Sequence, residues 1–319
     1  MKVGIYDLRD LNGNDLPVQK AYEKILAHNG IESVRLSIED DDFWEIAADL
    51  SLFIMRFQHY DNKVIQYFLM RAHGFPMTRS WIFYEKKKAL DWARSASYPL
   101  VFKLRAGAGS MNVVLVQSPR QAENLIKRMF GKGLISQGFY APGLLRFEHF
   151  HPFNEVRHLL GNLNRSLRGL DPHPFWTRHR DYILFQKYLA GNKFDTRITV
   201  IGERAFGFRR MTRPDDFRAS GSGLLNYEMD QIDLRCVEIA HQVSREMGFQ
   251  SMAYDFLFNE EGEPEFCEIS YTYLSRAVQA CPGYWDRDLN WHEGQYWPEY
   301  LHLVDALGMP ELKMPHLDY

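Results

Sequence analysis

Short apolar runs rich in β-branched residues recur at the start of the chain, over residues 3–6, 33–36 and 50–55, and runs of that length predict strands. Between the first two, apolar positions return at helical spacing over residues 16–28, and Asn29-Gly30 follows as a C-terminal stop. Strand, helix, strand, helix, strand with short links predicts a small parallel α/β layer over residues 1–60. Asp61 is placed to cap a helix running to about His73, which Gly74 and Pro76 end.

The pattern changes at Ser97. A strand over residues 99–105 runs into Ala106-Gly107-Ala108-Gly109-Ser110-Met111-Asn112, and a second strand follows over 113–116, which predicts a hairpin with a glycine-rich tip. A helix is expected over 119–130. Residues 131–180 show no clear period; they hold glycines, prolines and aromatics together with Arg146, Arg157, Arg165, Arg168, Arg178 and Arg180. Strand character returns over 182–188, and a hairpin over 197–207 turns near Gly202-Glu203. An amphipathic helix over 229–247 stops at Gly248, strands over 252–258 and 265–269 flank the polar turn 259–263, and a helix over 295–307 closes the chain.

At 319 residues the chain has material for two or three lobes. Lys and Arg number 38 against 41 Asp and Glu, a net charge of −3, which gives no electrostatic reason for a nucleic-acid or membrane partner. Met1-Lys2-Val3-Gly4-Ile5 reads as an immediate strand rather than a signal peptide, and no apolar run nears the roughly 20 residues of a membrane span. Cys236, Cys267 and Cys281 lack paired spacing, which fits a reducing compartment and small buried side chains. A soluble, cytoplasmic protein is expected.

Candidate chemistry gathers at four places. Lys103 lies among apolar strand neighbours beside the glycine hairpin, where ammonium and close backbone together suit phosphate; an edge-strand lysine reaching solvent is the plain alternative. Asp255 and Glu268 stand on strands joined by a short turn. Brought opposite each other they would repel, and a magnesium ion shared with phosphate oxygens would relieve that, whereas a solvated ribbon needs none. Asp195-Thr196-Arg197, Arg209-Arg210 and Arg218 collect guanidinium groups whose planar forks suit carboxylate and phosphate. Ser270-Tyr271-Thr272-Tyr273-Leu274-Ser275-Arg276, just after Glu268, is polar and aromatic and suits either a loop that touches a substrate or an ordinary turn.

In this order the features resemble the ATP-grasp superfamily, in particular glutathione synthetase, D-alanine–D-alanine ligase and the ribosomal-protein glutamate ligases. The resemblance implies an ATP-grasp fold, α/β with α+β lobes behind a small parallel pre-ATP-grasp domain. The domains would be residues 1–60, a central lobe over 61–189 with a glycine-rich lid and an insert at about 131–180, and a C-terminal lobe over 190–319. Asp61-Asn62-Lys63 and Gly74-Phe75-Pro76 match the family's approach to the nucleotide domain. Lys63 and Lys103 become the lysines that hold ATP phosphates, with Gly107, Gly109 and Ser110 in the lid over them. Gln186, Lys187, Tyr188 and Leu189 become the hinge strand that reads adenine, and Asp195 lies near the ribose. Arg197 and Arg210 face the γ-phosphate and the acyl phosphate, and Asp255, Glu268 and Ser270 hold Mg2+.

Two positions depart from the family: Glu268-Ile269-Ser270 stands where Glu-x-Asn is usual, and Ser220 where asparagine is common. The implied activity is ATP-dependent ligation of a small carboxylate, such as a sugar acid or amino acid, to an amine through an acyl phosphate. The aromatic and basic insert, with Trp285, Trp291 and Trp297, suits a pocket for such a substrate. The serine departures leave a nucleotide-binding protein without ligase activity, or a kinase of this fold, as alternatives. Small-molecule carboxylate and amine partners follow, a homodimer is compatible, and nucleic acid and membrane are not expected.

Overall fold

The computed structural model describes residues 1–7, 15–37, 40, 42–54, 62–106, 113–135, 160, 163, 167, 178–213 and 216–317. β1 (Lys2–Tyr6), β2 (Glu32–Leu36) and β3 (Leu52–Ile54) pair in parallel in the order β2-β1-β3, with α1 (Pro17–His28) and α2 (Phe43–Ala47) between them in sequence. Val3 and Ile5 alternate onto one face and pack with Ala21, Tyr22, Ile25 and Leu26 of α1, an apolar stripe at helical spacing. This layer does not close its own core. Trp297, Leu303 and Leu312, from the far end of the chain, complete it.

α3 (Lys63–Ala72) is capped by Asn62, whose Oδ1 accepts from the Val64 and Ile65 amides at 3.1 and 3.4 Å. The expected cap, Asp61, lies outside the described residues. The second sheet comprises β4 (Ser80–Phe83), β5 (Leu100–Lys103), β6 (Val114–Val116) and β9 (Ile183–Lys187), antiparallel in the order β4-β9-β5-β6. β5 and β6 form the expected hairpin; Gly107, Gly109 and Ser110 at its tip lie outside the described residues. Leu100, Phe102, Ile183 and Phe185 join a core with α4 (Lys86–Ser95) and α5 (Pro119–Met129). β4 and α4 give little signal in the sequence: α4 opens on three lysines and buries only Ala89 and Ala93, too narrow a stripe for a period to show. In the segment that resists reading, β7 (Leu134–Ile135) pairs with β8 (Arg178–His179) across the two flanks.

The third sheet holds β10 (Phe194–Ile201), β11 (Arg204–Met211), β12 (Leu225–Asn226), β13 (Ser251–Phe258), β14 (Pro264–Ser270), β15 (Gly283–Trp285) and β16 (Trp291–Glu293). Its order is β14-β13-β10-β11-β15-β16, with β12 paired to β11. α6 (Leu234–Met247) covers one face, setting Cys236, Val237, Ala240 and Val243 against Ile198, Val200, Tyr254 and Phe256. It starts later than expected because Met229–Gln231 form a 3-10 turn and Asp233 caps the helix at the Arg235 amide. It ends at Gly248, whose φ of 65° is the left-handed conformation that glycine tolerates. On the other face, Ile201, Phe206 and Phe208 pack with α7 (Ser275–Gln279) and α8 (Pro298–Leu307).

Trp285 and Trp291 lie 4.7 Å apart against the α6 core, and Trp297 packs with the first layer. Trp285 is buried in that packing, and Trp291 and Trp297 are partly buried. Among the described residues, no helix is long and apolar enough to cross a membrane.

Candidate active site

Period-two alternation decides which side chains meet on the third sheet. Ile198 and Val200 of β10 face α6, so Asp195 and Arg197 share the opposite side. The registers set Asp195 against Arg210 of β11, Arg197 against Asp255 of β13, and Asp255 against Glu268 of β14. A row of charged side chains thus crosses the sheet.

Arg197 holds Asp255 by two parallel hydrogen bonds, Nε to Oδ1 at 2.6 Å and Nη2 to Oδ2 at 2.8 Å. Arg210 holds Asp195 in the same way at 2.6 and 2.7 Å, and its Nη2 also donates to Asp255 Oδ2 at 2.7 Å. Forked pairs of this kind fix the guanidinium plane. Burial acts to raise the Asp255 carboxyl, yet Arg197 and Arg210 outweigh it and hold it well below the usual carboxylate range. Asp195 moves the other way: burial raises it, and the Asp255 charge adds to that against the pull of Arg210. Arg209 lies on the α6 side of β11, where it stacks over Phe194 at 4.1 Å and donates to Gln231. Arg218 pairs with Asp216 at 2.7 Å, outside the row.

The second sheet meets this row along β14. Lys63 opens α3; its amide donates to the Arg105 carbonyl at 2.8 Å, and its ammonium lies 2.9 Å from Glu268 Oε1. Lys103, at the end of β5, donates Nζ to the Cys267 carbonyl at 3.5 Å, the long limit for a hydrogen bond. Gln186 donates to the same carbonyl at 3.2 Å and to Ser80 Oγ at 3.4 Å. Gln66 spends both ends of its amide on the Ile269 backbone, at 2.7 and 3.3 Å. Gln66 and Ser80 escape a reading of the sequence; the one hint is that Gln66 shares a helix face with Lys63.

Beyond Gln186, the Lys187 amide donates to the Arg79 carbonyl at 2.8 Å, Tyr188 meets Phe217 edge to face at 5.8 Å, and Leu189 is buried. Burial pushes the Cys267 thiol up to about 12, so it stays protonated and unreactive at neutral pH. The structure therefore gathers Lys63, Lys103, Gln186, Asp195, Arg197, Arg210, Asp255 and Glu268 about one strand.

Two opposed carboxylates without neutralising partners would require a cation, but here Asp255 has two arginines and Glu268 has Lys63. Asp255 accepts three hydrogen bonds, most of the roughly four a carboxylate can take. Ser270 Oγ donates to the Thr272 carbonyl at 2.7 Å and accepts from the Thr272 amide at 3.2 Å, closing a local turn. Asp255 and Ser270, which the resemblance places among the metal ligands, thus have protein partners on their oxygens. Asp195 likewise spends both carboxylate oxygens on Arg210 rather than presenting them to a ribose.

Glu268 fits a cation better: its Oε2 has no hydrogen-bond partner among the described residues, and its side chain is 28% exposed. No group of three or more His, Cys, Asp or Glu converges among the described residues, so Mg2+ fits as an ion shared between Glu268 and phosphate oxygens. ATP phosphates fit the lysines. Lys63 and Lys103 are each only 7% exposed, and Lys103 makes one long bond with an ammonium that has three donors.

No family model matches the chain, and no curated protein matches it significantly. Solved structures match nearly its whole length. The ATP-grasp ligase PsnB complexed with minimal precursor is 11% identical, with a TM-score of 0.52, covering 96% of this chain and 98% of that one. The D-alanine–D-alanine ligase from Bacillus anthracis is 12% identical, with a TM-score of 0.52 and 96% of both chains covered. D-alanyl-alanine synthetase A from Vibrio cholerae O1 biovar eltor is 8% identical, with a TM-score of 0.55, covering 97% of this chain and 98% of that one. Likeness at such identities is one of fold. The fold of this chain is that of the ATP-grasp superfamily.

Proposed function

We propose that the chain is an ATP-dependent ligase that joins a small carboxylate to an amine, with an acyl phosphate between the two steps. The observation that carries this reading is the pair of buried ammonium groups, Lys63 and Lys103, brought to β14 beside a row of oriented arginines. In this reading the two lysines hold ATP phosphates, Gln186, Lys187, Tyr188 and Leu189 line the adenine side, and Gly107, Gly109 and Ser110 keep the lid role that the resemblance gives them. Mg2+ held by Glu268 would neutralise phosphate charge and orient its oxygens.

A carboxylate oxygen of the first substrate attacks the γ-phosphorus and ADP leaves. The amine nitrogen then attacks the carbonyl carbon, and phosphate departs with the electrons of the broken C–O bond. Arg197 and Arg210 use Nε and Nη2 on carboxylates, and neither Nη1 has a hydrogen-bond partner among the described residues. Those Nη1 groups serve the oxygens whose charge grows during transfer, from guanidinium planes already fixed, so little reorganisation is needed. The activities named for the matching structures, an ATP-grasp ligase and a D-alanine–D-alanine ligase, support the same reading.

The test is an ADP-release screen of pooled carboxylates and amines, with mass spectrometry of the products. An amide product is expected. A stable phosphoester would make the protein a kinase, and nucleotide binding without turnover would make it a binding protein. Absence of any thermal shift with millimolar ATP and Mg2+, confirmed by calorimetry, would overturn the nucleotide site itself.

A further inference from the structure

Asp195 is buried, and its hydrogen bonds to side chains among the described residues stay within the row. Its side chain is 9% exposed, and both oxygens accept from Arg210. Arg210 in turn bridges to Asp255, and Asp255 to Arg197. Acid and base therefore alternate as Asp195, Arg210, Asp255, Arg197; the outer links each span a strand pair whose register is set by the backbone ladder, and the Arg210–Asp255 link reaches across β10 from β11 to β13. The two-bond fork from Asp195 fixes the plane of the Arg210 guanidinium, and Asp255 on a different strand adds a second anchor at Nη2.

We infer that Asp195 is a positioning residue: it holds Arg210, across β10 and β11, so that the free edge of that guanidinium meets the terminal phosphate, and it does not touch the nucleotide itself. This rests on the proposed ATP-binding reading, and it replaces the ribose contact that the resemblance assigned to Asp195. The same chain of contacts gives Asp255 the corresponding role toward both arginines.

Affinities of the full chain for ATP, ADP and 2′-deoxy-ATP, each with Mg2+, test the inference by calorimetry. The parent should bind ATP more tightly than ADP, because Arg210 meets a phosphate that ADP lacks. Asp195→Asn should lower the ATP-over-ADP ratio about tenfold, the scale of a charge-assisted hydrogen bond. ADP affinity and the discrimination between ATP and 2′-deoxy-ATP should each stay within about twofold of the parent, as for sites with no local contact. Arg210→Gln should reproduce that loss, and the Asp195→Asn/Arg210→Gln double variant should lose no more than Arg210→Gln does. The double variant leaves no unpaired charge on that link, so the comparison holds even where Asp195→Asn alone folds poorly. An unchanged ATP-over-ADP ratio in Asp195→Asn, losses that multiply in the double variant, or a loss of 2′-deoxy discrimination would each overturn the inference. A parent that binds neither ATP nor ADP would instead overturn the reading beneath it.

Discussion

On the third sheet, each buried charge of the row has a partner of opposite sign within 2.9 Å: Arg210 with Asp195, Arg197 with Asp255, and Lys63 with Glu268. On the second sheet, by contrast, Lys103 is as buried as Arg210 but makes a single long bond to a neutral carbonyl, and on the separate β7–β8 ribbon His179 is buried with a tyrosine hydroxyl as its side-chain partner among the described residues. Charge on the first surface is compensated within the protein and so fixed in place. On the second it is desolvated and left short of partners. The first arrangement orients groups; the second stores attraction for an anion that the protein does not supply. A site that needs both a rigid array and an unfilled demand for negative charge obtains them from two sheets meeting at β14.

The sharpest break in that contrast is to remove a partner from the compensated side. Asp255→Ala leaves Arg197 without its carboxylate and Arg210 with one of two, and stability should fall by roughly 3–5 kcal/mol, as for a broken buried ion pair. Denaturant titration would show it, and a midpoint equal to the parent's would mean that the row is not holding the sheet. Lys103→Ala is the opposite case. It should change stability by no more than about 1 kcal/mol, since little in the fold depends on the ammonium. Its ATP affinity should nonetheless drop about ten- to hundredfold, the worth of charged hydrogen bonds to phosphate. Should stability fall as far as in Asp255→Ala, Lys103 would belong with the compensated charges.

The first layer, the two hairpins and α6 were legible because their periods of two and 3.6 are clean, and because turns such as Gly202-Glu203 and Gly248 punctuate them. Opposition of Asp255 and Glu268 was legible to within one residue: a short turn pairs their strands, and a register shift between Asp255 and Phe256 brings Glu268 rather than Cys267 opposite Asp255. Which partner each acid would take was not. Arg197 and Arg210 reach Asp255 from strands 58 and 45 residues away in sequence, and nothing local reveals that meeting. The metal expectation counted the negative charges of one ribbon without the cations that strand order delivers to Asp255. For Trp285, Trp291 and Trp297, composition shows an aromatic cluster but not which core each one packs against.

Between the two surfaces stands Glu268, paired on one oxygen and open on the other. Glu268→Gln should shift the Mg2+ dependence of ATP binding about tenfold, through loss of a full charge from a hard-cation ligand. Ser270→Ala should shift it less than about twofold, because its hydroxyl closes a turn and surface substitutions of that kind are nearly neutral. A magnesium titration of ATP affinity for both variants separates them. Equal shifts would return Ser270 to the ligand set.

The mildest probe of the same contrast is pH. Burial, with a further push from Arg105, takes the His179 imidazole down to about 4 from an ordinary 6.5, and among the described residues no acid pairs with it, whereas two arginines keep Asp255 ionised. In the unfolded chain His179 takes up its proton as the pH falls through 6.5; in the folded protein it resists until about 4. The unfolded state therefore binds more protons in that window, so His179 leaves stability untouched above pH 6.5 and erodes it as the pH falls toward 4. The slope should approach about 1 kcal/mol per pH unit. In His179→Phe that contribution is gone. Denaturant stabilities of parent and variant, measured from pH 7.5 to 4, should differ by a constant above 6.5 and diverge below it, the parent losing more. A difference independent of pH would show that the imidazole titrates in the fold as it does in water, and His179 would then not belong with the uncompensated groups.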